Sequence, residues 1–305
     1  MEVRPTPSSA PTSSGIETSP LTPSIGVEVH GIDLSRPLDD ATLAAVRRAL
    51  ADNSILLFRE QTDLAPAELV AFSARFGPLE HHVVSDFLLP GHPEIFVVSN
   101  IVENGRHIGA YGGAKWWHSD LSYMPEPSLG SVFQCIECPR DGGETEFAGM
   151  YAAWEELAPD RQRWLLQRRA IHDYAWHYAT YLSHRKPLTE EQKARIPPTA
   201  HPCVRTHPET GRRALYLSSS LVHRFEGMSF EESRPILDEV NEFATSPRFV
   251  YRHRWRPGDV VFWDNRSTIH RACPFDEQGA RRRMHRTTIK GDRPFLELDP
   301  SELDA

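Results

Sequence analysis

Short apolar runs separated by turn signals fill this chain from Gly26 onward, and they restrict it to a fold built mainly from strands. GVEVHGIDL (26–34) alternates apolar and polar side chains with period two, and SILLFRE (54–60) and EIFVVS (94–99) read as further strands. More follow at 129–148, around the turn Asp141-Gly142-Gly143, then at RFVYRHRW (248–255), VVFWDN (260–265) and MHRTTIK (284–290). Between them lie a few helical patterns. Asp39-Asp40 precedes ATLAAVRRALADN, AELVAFSARFG (67–77) closes on Gly77, and residues 150–167 read as helical with a break at Pro159. Ser229-Phe-Glu-Glu opens a helix with a capping box. Many short strands with flanking helices and no internal repeat predict a β-sandwich or jelly roll in one domain, spanning 25–305.

Residues 1–24 are mostly Pro, Ser and Thr through the first twenty, and are expected to form a flexible tail. Loop insertions are expected near 80–115 and 172–202, the second around a Lys/Glu/Pro-rich stretch with the character of an exposed lid. Lys and Arg number 34 against 42 Asp and Glu, a net charge of −8. That balance argues against nucleic-acid or anionic-membrane binding. No apolar run is long enough to span a bilayer, and no signal-peptide pattern opens the chain. Four cysteines make no disulfide scaffold, so a cytoplasmic setting is expected. Cys135-Ile136-Glu137-Cys138 has redox or zinc spacing without a second pair. It reads as two buried strand cysteines with side chains on opposite faces.

Fifteen histidines are the richer clue, since imidazole is the commonest metal ligand. In Trp117-His118-Ser119-Asp120 an extended backbone would aim His118 and Asp120 at one ion. Alone this means little, because a His-x-Asp pair arises by chance about once in such a composition. His92-Pro93-Glu94 and His207-Pro208-Glu209 have the same spacing and read as loop residues. What strengthens the pair is VVFWDNRSTIHRA, which sets His270 just after a buried strand, followed by the arginine cluster ARRRMHRTTIKGD. Two histidines and a carboxylate leave open positions suited to non-haem Fe(II). On an extended strand Arg282, Met284 and Arg286 share a face, and inward arginines need an anion.

WHSDLSY, GGETEF, RTHPETGRRALYLSS, VVFWDNRSTIHRA and RRRMHRTTIKGD together resemble the taurine dioxygenase and 2,4-dichlorophenoxyacetate dioxygenase family. The resemblance runs from about Gly26 to Pro294 and implies a double-stranded β-helix. It also implies an enzyme that uses Fe(II), 2-oxoglutarate and O2. By that resemblance His118, Asp120 and His270 are the iron ligands, and Thr145 and Arg282 hold the distal carboxylate of 2-oxoglutarate. Arg286 and His82 fall where the taurine branch contacts its substrate. The stretch from His270 to the arginines is one residue longer than the taurine pattern, which leaves Arg281 a rival for the role of Arg282.

The resemblance implies oxidative decarboxylation of 2-oxoglutarate to succinate and CO2, coupled to hydroxylation of a small organic acid. Related halogenases lack the carboxylate that Asp120 supplies, so hydroxylation is expected. Ser85 and Ala114 stand where the taurine branch has a tyrosine and an asparagine, and YLSSSLVHRFEGMSFEES looks nearer the aryloxyacetate branch. An aryloxyalkanoate or similar carboxylate is therefore the expected substrate, with a sulfonate or an N-substituted amino acid as the alternative. Tyr174, Trp176, His177 and Tyr178 are candidates to line its pocket. A non-catalytic metal-binding jelly-roll module is the alternative of a different class. Family membership also implies a homo-oligomer, a dimer or tetramer.

Overall fold

A computed structural model of the chain describes residues 15–298, apart from 83, 84, 113, 184 and 185. Eleven strands frame the site: β1 (Glu17–Pro20), β2 (Val27–His30), β3 (Ile55–Phe58), β4 (Leu88–Leu89), β5 (His92–Ser99), β6 (Ser128–Glu137), β7 (Thr145–Gly149), β8 (Val250–His253), β9 (Val260–Asp264), β10 (Thr268–Ala272) and β11 (Arg283–Lys290). The larger sheet has the order β1-β2-β3-β9-β6-β11-β5-β4, and β8-β7-β10 form a smaller one. Only β2 and β3 pair in parallel within these two sheets.

Period two explains how the sheets meet. Leu57, Phe133, Cys135, Val261, Trp263 and Met284 of the larger sheet share one buried cluster with Phe147 of the smaller. Phe147 and Trp263 lie 5.5 Å apart between ring centroids. The alternate residues Leu56, Phe58, Val132, Val260, Phe262 and Ile289 point the other way. There the helices Asp40–Asn53 and Pro66–Ala74 cover them through Val46, Leu50, Leu69 and Phe72. Both faces of the central strands are thus covered, so SILLFRE shows an unbroken apolar run rather than alternation. Each such Leu or Phe contributes about 1.5–3 kcal/mol on burial. A third cluster joins Ala148 and Ile269, on the outer face of the smaller sheet, to Leu237 and Val240 of the helix Phe230–Ala244.

The expected caps form. Asp39 accepts from the Thr42 amide at 2.7 Å, and Ser229 and Glu232 each accept from the other's amide. The segment 150–167 is two helices, Met150–Glu155 and Pro159–Leu166.

Two expectations need correction. The tail does not extend to residue 24, because Glu17–Pro20 pairs antiparallel with Val27–His30. Ile16 and Ile25 are buried and anchor that hairpin; the Pro/Ser/Thr average of the expected tail conceals Ile16. Residues 1–14 lie outside the described residues. The insertion at 172–202 is not simply loop, since it holds the helices Tyr174–Tyr181 and Glu190–Arg195 and the strand Thr199–Pro202. The 80–115 insertion carries β4, β5 and the short pair Val102–Glu103 and Arg106–His107. Among the described residues no helix is long and apolar enough to cross a membrane.

Candidate active site

His118 and His270 form an isolated antiparallel bridge. The His118 amide donates to the His270 carbonyl at 3.0 Å, and the His270 amide donates back at 2.8 Å. Residues that exchange both bonds send their side chains to one face, and here the ring centroids are 4.2 Å apart. His118 Nδ1 donates to the Trp116 carbonyl at 2.8 Å, which leaves Nε2 with its lone pair free. Asp120 departs from the extended path expected for it and begins a turn, with Leu121 in the left-handed region at φ 57°. The turn returns the carboxylate to the pair: Oδ1 stands 3.8 Å from His118 Nε2 and 3.9 Å from His270 Nε2. One donor atom from each residue falls within 4.8 Å of the other two.

Buried polar groups hold this turn. Asn265, at the end of β9, accepts through Oδ1 from the Asp120 amide at 3.3 Å and from Trp263 Nε1 at 3.0 Å. Its Nδ2 donates to Ser128 Oγ, and its carbonyl accepts from Ser119 Oγ. Ser131 Oγ donates to Asp120 Oδ2 at 3.0 Å, and Arg286 Nη1 donates to Oδ1 at 3.3 Å. Burial alone would raise the Asp120 carboxyl, but Arg286, His270, His118 and the Ser131 hydroxyl together hold it well below the usual carboxylate range. Burial pushes the His270 imidazole down to about 3, so it is a neutral donor. Asn265 and Ser131 are absent from the sequence reading, since nothing in either segment alone signals that they meet the Asp120 turn.

The two candidate arginines differ in burial. Arg281 is 61 % exposed at its side chain and bonds to Glu137 at 2.8 Å. Arg282 is buried; its amide donates to Asn100 Oδ1 at 2.9 Å and its carbonyl accepts from Ser99 Oγ. Its guanidinium lies 5.7 Å from the Phe133 ring and has no ion-pair partner among the described residues. Nε is buried without a hydrogen bond, and burial lowers the group's pKa to about 10. Thr145 is buried on β7 and is not among the residues that line the cavity beside the triad; its Oγ1 accepts from Trp255 Nε1 at 3.0 Å. Trp255 in turn meets Phe133 edge to face.

His118, Asp120, Arg282, Arg286 and His82 all line one cavity of about 260 Å³. Its remaining wall is largely apolar and aromatic, including Phe96, Val98, Trp116, Tyr123 and Leu221. His82 packs tilted against Phe96 with ring centroids 4.1 Å apart, and burial, helped by Arg286, pushes its pKa down to about 4. Of the aromatic stretch after Asp173, Tyr174 and His177 reach the cavity. Trp176 packs on His223 and Phe230 instead, and Tyr178 donates its hydroxyl to the Lys186 carbonyl. Ala114 lines the cavity, while the side chain of Ser85 lies outside the described residues.

His207, read as a loop residue, is fully buried with Nε2 3.1 Å from Asp264 Oδ2. Asp264 also binds Arg266, so the Pro208 turn serves a buried ion network. Cys135 and Cys138 sit side by side rather than on opposite faces, because β6 ends at Glu137; burial raises both thiols.

A profile of the family described as "Taurine catabolism dioxygenase TauD, TfdA family" matches residues 17–288. The chain belongs to this family. It is accordingly an alpha-ketoglutarate-dependent dioxygenase, an oxidoreductase that uses Fe(II), 2-oxoglutarate and O2. It is 34% identical over 287 residues to the alpha-ketoglutarate-dependent 2,4-dichlorophenoxyacetate dioxygenase of Cupriavidus pinatubonensis, covering 91% of this chain and 98% of that protein. It is 33% identical over 282 residues to pentalenolactone F synthase of Streptomyces arenae, covering 87% and 91%. The solved structure of AAD-2 in complex with Mn(II) and N-oxalylglycine is similar at a TM-score of 0.78 and 32% identity, covering 92% of this chain and 99% of that one.

Proposed function

We propose that this family member hydroxylates a small organic acid, best an aryloxyalkanoate or similar carboxylate, with His118, Asp120 and His270 holding the ferrous ion. One observation carries the reading: three donor atoms converge, and two of their residues, His118 and Asp120, line a cavity with Arg282, a buried cation that lacks a counter-ion among the described residues. The donor set fits the metal, since two imidazoles and one carboxylate are a facial-triad complement. Bound there, the ion supplies the oxidising chemistry that couples decarboxylation of 2-oxoglutarate to C–H hydroxylation.

The rest is work for the chain's own side chains. Arg282 offers its unpaired guanidinium to the distal carboxylate of 2-oxoglutarate. The Thr145 hydroxyl, whose oxygen already accepts from Trp255, keeps its proton to donate to the same anion. Arg286 holds Asp120 ionised and turns the rest of its guanidinium to the acid group of the substrate, beside neutral His82. The apolar wall accepts the substrate's body and excludes water. Two facing sheets with helices outside fit a double-stranded β-helix. The 2,4-dichlorophenoxyacetate dioxygenase relative supports the carboxylate reading; a sulfonate or N-substituted amino acid would meet the same arginine. A cytoplasmic homo-oligomer, dimer or tetramer, completes the reading.

A non-catalytic metal module has no use for an uncompensated buried arginine, and it is set aside. The test is anaerobic addition of Fe(II) and 2-oxoglutarate, which gives a weak visible charge-transfer band. Succinate release is then measured across aryloxyacetates, sulfonates, N-acyl amino acids and alkyl sulfates. Iron binding without the band refutes the 2-oxoglutarate site, and release with sulfonates alone refutes the carboxylate assignment.

A further inference from the structure

Apart from Arg282 and Arg286 the cavity is lined mainly by apolar and aromatic side chains, with Asn100, Lys115, Glu277 and His177 among its polar groups. His177, on the helix Tyr174–Tyr181, is 7 % exposed and lines the cavity. Its Nδ1 lies 3.0 Å from the Ser220 carbonyl. A carbonyl only accepts, so Nδ1 carries the proton and Nε2 holds a lone pair. Tyr174 stacks on the ring at 5.7 Å, Tyr181 lies 5.2 Å away, and the edge of Trp116 closes a third side at 6.2 Å. Ser220 is itself fixed, donating Oγ to the Trp117 carbonyl next to the first ligand. The ring therefore cannot turn without breaking its bond or leaving its aromatic cage. No hydrogen bond to Nε2 occurs among the described residues. The acceptor is a fixed feature of the pocket rather than part of the polar core.

We propose that His177 Nε2 is a specificity-determining acceptor, which selects organic acids carrying an O–H or N–H donor on the body of the molecule. The proposal rests on the organic-acid reading and sharpens it. Arg286 takes the acid group, His177 takes the donor, and the carbon between them lies over the His118, Asp120, His270 triad. A substrate without the donor strands Nε2 against apolar surface, and a hydrogen-bonding site discriminates strongly against such an analogue.

The experiment uses matched acids of each panel class that differ only by a hydroxyl walked round the body, with the methoxy analogue as an acceptor-only control. Wild type, His177→Phe and His177→Gln are compared by kcat/KM for succinate release. The same pairs are titrated calorimetrically into protein loaded with Mn(II) and N-oxalylglycine. In the wild type one hydroxyl isomer exceeds its hydrogen analogue by about tenfold or more in both readouts. His177→Phe brings that ratio close to one, while His177→Gln, which keeps an acceptor, retains part of it. A wild-type ratio near one for every isomer overturns the proposal even if both variants fail to fold. So does an unchanged ratio in folded His177→Phe. If no acid in the panel is bound or turned over, the organic-acid reading fails and takes this proposal with it; the other failures leave that reading standing.

Discussion

His118 and His270 exchange both backbone hydrogen bonds across a bridge that belongs to neither sheet's regular ladder. This contact sets the ring separation of 4.2 Å, and the Asp120 turn, pinned by Asn265, supplies the third donor. The site is therefore assembled from two backbone constraints rather than from one strand's register.

Removing a donor should abolish metal binding without unfolding the chain. For His270→Ala, equilibrium dialysis against Mn(II) is expected to fall from near one ion per chain to near zero, with no succinate formed. Thermal stabilisation by Mn(II), about 2.7 kcal/mol at a hundredfold excess over Kd in wild type, should vanish as well. Asn265→Ala keeps all three donors but frees the turn, so metal affinity should drop roughly 10–100-fold. Turnover retained in His270→Ala would end its assignment as a ligand.

Arg282 is a buried cation with no ion-pair partner among the described residues, and the proposed function gives it 2-oxoglutarate. Arg282→Met should weaken 2-oxoglutarate binding about a hundredfold or more, as truncation of a buried charge pair does. In the absence of 2-oxoglutarate its Tm should hold or rise, because an uncompensated buried charge has been removed. Arg281→Ala, an exposed site, should leave Tm essentially unchanged and the 2-oxoglutarate KM alone. The reverse pattern would transfer the role to Arg281.

Trp255 donates its indole N–H to the Thr145 hydroxyl. Trp255→Phe keeps the edge-to-face contact with Phe133 but removes the N–H that orients the hydroxyl. The 2-oxoglutarate KM should rise about three- to tenfold, with kcat much less affected. A fall in kcat with KM unchanged would instead make Trp255 a packing residue.

Acid should destabilise this protein well before its carboxylates titrate. Burial pushes the imidazoles of His201 and His285 down to about 4 and that of His172 well below its ordinary value. Each is neutral when folded but takes up a proton in the unfolded chain below about pH 6.5. Unfolding then binds protons, so their contribution is complete above the unfolded pKa and is lost as pH falls toward 4. Calorimetry from about pH 8 to 5 should show a level Tm that declines below about 6.5. A Tm independent of pH across that range would mean these rings take up protons as readily in the fold as in the unfolded chain.

Much of the architecture was legible because its causes are local. Period two in GVEVHGIDL, the Asp39 and Ser229 caps and the break at Pro159 all act within a few residues. Other features escaped because they depend on distant partners. Glu17–Pro20 becomes a strand only against Val27–His30, and His207 is a core residue only because Asp264 meets it. The placing of Cys138 beside Cys135 likewise required knowing where β6 stops.

From residue order alone came the strand-rich class, the capped helices, the two histidines and the carboxylate, and a basic cluster with two candidates. Those follow from side-chain chemistry and short-range backbone geometry, which travel with the sequence. Folding in three dimensions decided which arginine is buried, how Asp120 turns back, and that His177 lines the cavity. Each of these depends on burial or on a hydrogen bond between segments far apart in the chain, and such contacts exist only once the sheets and helices have packed.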